Sequence, residues 1–148
     1  MKFSRETHLD CPFDAAVQAV RRTALLSQVA RPVISFTSNK PVPDTWAEET
    51  YWFKLRLFGV LPMGQQAIRV SIQESNGLFT LHDAGFSNLI ERWDHRITIT
   101  EAGGMTRYRD DLEIAAGFLT PFVWLFAKAF FRHRQRRLVK LAASGFDF

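Results

Sequence analysis

The sequence predicts an α+β domain: a curved antiparallel sheet of six to seven strands wrapped around one long C-terminal helix, with a cavity between them. Three observations predict it. Between Thr45 and Ile114 apolar and polar residues alternate with period two, in segments separated by Gly, Pro and Asn-Gly, the pattern of a meander with one buried face. A single long helical pattern then runs from Thr120 to about Ala142. The third is 14 Phe against 2 Tyr, wide apolar surface with few polar handles, which suits a large apolar interior. With 148 residues, the chain has the size of one domain, so residues 1–148 are read as a single domain. Its 47% hydrophobic and 23% charged residues exclude a disordered or collagen-like chain.

Phe3 to Leu9 alternates loosely as a short strand, and Asp10-Cys11-Pro12 then opens a helix to about Leu26, with Phe13, Val17 and Val20 at helical spacing. Pro32, Pro41 and Pro43 bracket a short strand at Val33 to Thr37. From Thr45 to Leu57 the odd positions Tyr51, Phe53, Leu55 and Leu57 are apolar, so one face is buried. Gly59, Pro62 and Gly64 mark a turn, Ile68, Val70 and Ile72 alternate after it, and Asn76-Gly77 reverses the chain. Leu78 to Asp83 is the next strand and Ala84 to Ser87 a turn. Asn88 to Thr100 and Thr106 to Ile114 form a hairpin about Ala102-Gly103. Thr120 caps the last helix, and Pro121 suits its first turn.

The apolar run Ile114 to Phe131 with its basic flank imitates a membrane span. Gly117, Thr120-Pro121 and Lys128 cut it to about 11 apolar-rich residues where roughly 20 are needed, so it reads as a core helix. The net charge of +4 is unevenly placed: residues 1–113 carry 13 Lys or Arg against 14 Asp or Glu, whereas residues 114–148 carry six against Asp147 alone. That basic end suits the helix dipole and most simply forms a solvated face. With no recognition motif beside it, nucleic acid is not an expected partner. The lone Cys11 cannot form an intramolecular disulfide, and the first residues lack a secretory apolar stretch, so a cytoplasmic location is expected. His8, His82, His95 and His133 lack metal-ligand spacing, and neither a metal nor another cofactor is expected.

Several local patterns accompany this order of elements: Cys11-Pro12-Phe13-Asp14 at the first helix, Phe58-Gly59 through Pro62-x-Gly64 at a hairpin, Trp93-x-His95 and Tyr108-x-Asp110 on partner strands, and His133-Arg134-Gln135-Arg136 closing an aromatic helix. Together they resemble the START-related helix-grip (SRPBCC) superfamily, which includes polyketide cyclase/dehydrase-like proteins and pollen-allergen-like ligand carriers. The resemblance covers nearly the whole chain. It implies an apolar cavity; because members bind lipids, sterols, polyketides or plant metabolites and some are enzymes, it restricts the chemistry little.

If Ala102-Gly103 is the hairpin turn, residues whose numbers sum to 205 face each other. His95 then lies across from Asp110, Ile97 from Tyr108, Trp93 from Leu112 and Glu91 from Ile114, all on the face turned toward the helix. A carboxylate that accepts from an imidazole fixes its tautomer and leaves the other ring nitrogen as a base or acceptor. Glu91 would add a second carboxylate about 6.6 Å along the strand from Trp93, and Tyr108 a donor to a developing oxyanion. The plainer account of His95 and Asp110 is a satisfied polar pair that fixes strand register.

Tyr51, Phe53, Leu55, Glu91, Trp93, His95, Ile97, Tyr108, Asp110 and Leu112 are thus expected on the sheet wall of a binding cavity, with Val123, Phe126 and Phe130 on the helix wall. The loop Phe58 to Gly64, five apolar residues in seven, suits a lid or a membrane-touching edge, or else folds back on the helix. The leading expectation is a non-catalytic carrier or sensor of a hydrophobic small molecule (lipid, polyketide or aromatic metabolite). A cyclase, dehydratase or hydrolase using catalytic His95 and Asp110 is the alternative. Transient membrane contact through Phe58 to Met63 and the basic helix end is the third reading.

Overall fold

The computed structural model describes residues 1–148. Strand β1 (Lys2–Leu9) leads into α1 (Phe13–Arg21) and α2 (Ala24–Ala30). The sequence pattern predicted one continuous helix here; the chain opens at Arg22, whose backbone is extended (φ −76°, ψ 125°). The cause is tertiary. Thr23 N–H donates to the Asp44 carbonyl and Trp46 N–H to that of Arg21, so the segment before the next long strand pairs with the break.

Strands β2 (Ile34–Thr37), β3 (Thr50–Leu57), β4 (Leu61–Ser75), β5 (Leu78–Ser87), β6 (Arg92–Ala102) and β7 (Met105–Ala115) follow, and α3 (Thr120–Ala143) closes the chain. The seven strands form one antiparallel sheet in the order β1-β7-β6-β5-β4-β3-β2. The fold class is therefore the predicted one, α+β with a long C-terminal helix packed along β1 and β7.

Several boundaries differ from the sequence reading: β3 starts at Thr50 instead of Thr45, and β4 already at Leu61, within the expected turn at Gly59, Pro62 and Gly64. Strand β5 continues through Ala84–Ser87, because Gly85 stays extended and lies against β4, where a Cβ would come within 2.9 Å of the Ala67 carbonyl oxygen. The turn falls later, at Asn88–Glu91, where Ser87 N–H donates to the Ile90 carbonyl and Ile90 N–H to Ser87 Oγ. Thr120 is inside α3, not its cap; its hydroxyl donates to the Gly117 carbonyl and accepts from Ala116 N–H.

Between Lys54 and Arg56 the β3–β4 ladder slips, so Leu55 stands opposite Met63 and Gly64, and Gly64 meets the bulge with φ +81°. Inward residues form two apolar clusters. One gathers α1, the far end of α3 and the sheet around Phe79, Ile99 and Leu138; the other gathers Ile114, Ala127, Phe130 and Phe131 near the start of α3. Burying a side chain such as Phe131, with no exposed surface, stabilises the fold by about 2–3 kcal/mol. Successive connections alternate ends, so the β3–β4 and β5–β6 turns and the entry to α3 share one end of the sheet.

Candidate functional site

A cavity of about 340 Å³ lies between the concave face of the sheet and the helices. Its wall is mostly apolar. From the sheet come Leu55, Trp93 and Ile97, and from α3 Val123, Phe126 and Phe130. The cavity reaches the surface at the end that carries the β3–β4 and β5–β6 turns, since Met63 and Phe122 both line it and are 43% and 70% exposed.

A polar band crosses this wall. Asp83 on β5 pairs in register with His95 on β6, and the inward position next to His95 on β7 is Asp110. The three share one face because each strand turns alternate residues inward. His95 Nε2 lies 2.7 Å from Asp110 Oδ1, Tyr108 hydroxyl donates to the same oxygen at 3.1 Å, and Gln135 Nε2 of α3 donates to Oδ2 at 2.8 Å. The His95 ring also packs edge-on against Phe131.

The β6–β7 register differs from the predicted one. The turn is Gly103-Gly104, with positive φ at both, so Ala102 faces Met105, His95 faces Leu112, Ile97 faces Asp110 and Ile99 faces Tyr108. Two consecutive glycines move the turn by one residue and leave every side chain on its expected face. His95 and Asp110 meet diagonally.

Four expected wall residues lie elsewhere. Glu91 is exposed in the turn before β6, facing no strand, so the second carboxylate is absent from the cavity. Tyr51 and Phe53 are buried but pack behind Trp46, whose ring lies 5.0 and 6.4 Å from theirs and which lines the cavity in their place. Leu112 is buried in the cluster around Phe131. Tyr108 lines the cavity, but its proton is committed to Asp110 instead of being free for an oxyanion.

Polar side chains of the lining went unread as site residues, among them Asp83, Arg134, Gln135 and Gln66, whose Nε2 donates to the Ala67 carbonyl. Asp83 accepts the Arg69 backbone N–H through Oδ1 at 3.0 Å, replacing a missing ladder bond between β4 and β5; its Oδ2 makes no hydrogen bond to protein. Arg134 lines the cavity beside it. Its guanidinium carbon lies 4.6 Å from the Phe131 ring centre, and it takes part in no ion pair.

Burial pushes the Asp83 carboxyl up to about 8, against the opposing effects of the Arg69 N–H and Arg134. Burial holds the His95 imidazole below its ordinary range despite Asp110, so the ring is neutral at pH 7. Burial, the largest single effect, raises Asp110, but the hydrogen bond and charge of His95, the charge of Arg134 and the Gln135 hydrogen bond together outweigh it, and the carboxyl stays below its ordinary range. An ionised Asp110 accepts from Nε2–H, which leaves Nδ1 as an unpartnered acceptor. Burial, reinforced by Asp110, drives the Tyr108 phenol well up. No three His, Cys, Asp or Glu side chains converge in a way that could hold a metal ion.

Solved structures share this architecture. A START superfamily protein from Mycobacterium smegmatis superposes with a TM-score of 0.60 at 10% identity, over 97% of this chain and 97% of its own. Ara h 8.0201 gives 0.66 at 11% identity, over 97% and 98%. The Aha1 dimer from Colwellia psychrerythraea gives 0.64 at 12% identity, over 99% of both. At such identities the likeness is one of fold: the chain has the helix-grip architecture that these structures share. By sequence the chain belongs to the family described as a domain of unknown function (DUF8410), whose model matches residues 13–142. No curated protein matches the chain.

Proposed function

We propose that the protein binds a hydrophobic small molecule in this cavity, as a carrier or sensor, with one polar end of the ligand held at the band across β5, β6 and β7. One observation carries the reading: an apolar cavity of about 340 Å³ meets a few polar atoms that have no partner in the protein, among them His95 Nδ1 and Asp83 Oδ2. Apolar walls supply affinity and a few fixed polar groups supply orientation. An apolar fluorescent dye is expected to bind the wild type and Arg136→Ala but not Phe126→Asp, which puts a charge on the helix wall. Equal dye binding in all three contradicts the reading.

A second reading is an enzyme of the cyclase, dehydratase or hydrolase kind, in which His95 Nδ1 takes a proton from bound substrate while Asp110 holds the ring. The buried 2.7 Å pair favours it. An internal control exists. His82 and Asp94 meet in the same diagonal geometry at 2.9 Å on the outer face of the sheet. Turnover lost in His95→Ala but kept in His82→Ala, with dye binding retained in both, supports the enzyme; unchanged turnover in His95→Ala removes it.

Membrane contact belongs to the open end. Phe58, Val60, Leu61, Leu89, Phe118 and Phe122 are all more than half exposed there, so the loop does not fold back on α3. The basic stretch starts at Arg132, about 15 Å along α3 from Phe122. Apolar contact is therefore the larger part. Phe58→Ser with Val60→Ser is expected to abolish liposome flotation; flotation unchanged by that pair contradicts it.

A further inference from the structure

We propose that the polar end taken by the cavity is a carboxylate, held between the guanidinium of Arg134 and the side chain of Asp83, so that the ligand is a hydrophobic monocarboxylic acid. This rests on the binding function proposed above and names its ligand class.

The argument begins with which charges are already satisfied. Asp110 is saturated: Oδ1 accepts from His95 and Tyr108, and Oδ2 from Gln135. Arg134, one turn along α3 from Phe130 and stacked over Phe131, is left with its N–H groups unpaired by any carboxylate while lining the cavity. The other arginine there, Arg22, stacks on Phe148 and donates to its carbonyl. Arg134 is thus a half-buried cation, near Tyr108 and the ionised Asp110 but with no carboxylate within ion-pair distance, so it can still take a counter-ion from the cavity.

Asp83 would oppose an anion if ionised. It is 7% exposed, and the groups that face it are the Arg69 N–H and Gln66 from β4, His95 from β6 and Arg134 from α3, while Asp94 acts on it from the outer face of β6. Burial keeps it mostly protonated at pH 7. A neutral Asp83, which lines the cavity, carries its O–H at Oδ2, because Oδ1 already accepts from Arg69. Arg134 N–H groups and this O–H together match the lone pairs of one carboxylate. A phosphate dianion would bring a second negative charge against one cation and the nearby Asp110, so a monoanion fits better. Apolar residues beyond the band take the chain or ring of the acid.

The test compares dodecanoic acid, dodecanol and methyl dodecanoate by titration calorimetry at pH 7. The acid is expected to bind the wild type about tenfold tighter than the alcohol or the ester, the size of one or two charge-assisted hydrogen bonds. Arg134→Met should bring the acid-to-alcohol ratio to about one, whereas Arg136→Ala, on the exposed face, should keep it. In wild type the ratio should fall as pH rises past about 8, where Asp83 ionises, and Asp83→Asn should remove that fall. Equal binding of acid and alcohol by the wild type overturns the carboxylate assignment and leaves the binding function standing. Loss of acid and alcohol binding in equal proportion in Arg134→Met also overturns it, because that is a packing effect. No binding of any of the three overturns both.

Discussion

Asp83 has a consequence for stability that the folded contacts alone hide. In the unfolded chain its carboxyl ionises near 3.8, whereas in the fold it does so at about 8. Between those values the unfolded state has released a proton that the native state keeps, so this group lowers stability by about 1.4 kcal/mol for each unit the pH rises. Asp83→Asn retains the acceptor for Arg69 and removes the titration. Its advantage in melting temperature over wild type is expected to grow from pH 5 to pH 8 and then level off; a pH-independent difference would show that Asp83 ionises normally. Phe131, fully buried against His95 and Trp93, is expected to cost about 3–5 kcal/mol on truncation to Ala in urea unfolding. A loss below 1 kcal/mol would place it outside the core. His95 and Asp110 were legible because strand alternation puts both on one face. Asp83 was not, because a turn was read immediately after it. Arg134 and Gln135 were hidden in a basic run, although Gln135 continues the stripe Ala127, Phe131, Leu138, Ala142 that faces the sheet.

Among the elements, register and boundaries were the least legible features. Three candidate turn residues, Ala102, Gly103 and Gly104, allow two hairpin centres, and alternation cannot choose between them because both keep the same faces inward. The break between α1 and α2 was also out of reach, since it depends on Asp44–Trp46 arriving from a distant segment. Strand β5 carries a prediction of its own. A Cβ on Gly85 would meet the Ala67 carbonyl at 2.9 Å, with Gln66 Nε2 and Asp83 Oδ1 close behind. Gly85→Ala is therefore expected to destabilise by about 1–3 kcal/mol by overpacking and to weaken dye binding by pushing β4 and β5 apart beneath the polar band. An unchanged urea midpoint would contradict that close approach.

At the scale of the molecule, element order and period were enough to predict a sheet gripping a helix, because an amphipathic sheet and one long helix have few ways to bury each other. The cavity's open end was legible only in part: the loop from Phe58 was noticed, while Leu89 and Phe118, exposed beside it, gave no periodic signal. The measurement that tests the central claim most directly is native mass spectrometry of freshly purified wild type and Phe126→Asp, set against the denatured mass and an organic extract of each. A discrete lipophilic adduct, released on denaturation, present in wild type and absent from the folded variant, is the expected result. The same adduct at the same occupancy in both would contradict binding in this cavity, as would an adduct-free wild type that also fails to bind an apolar dye.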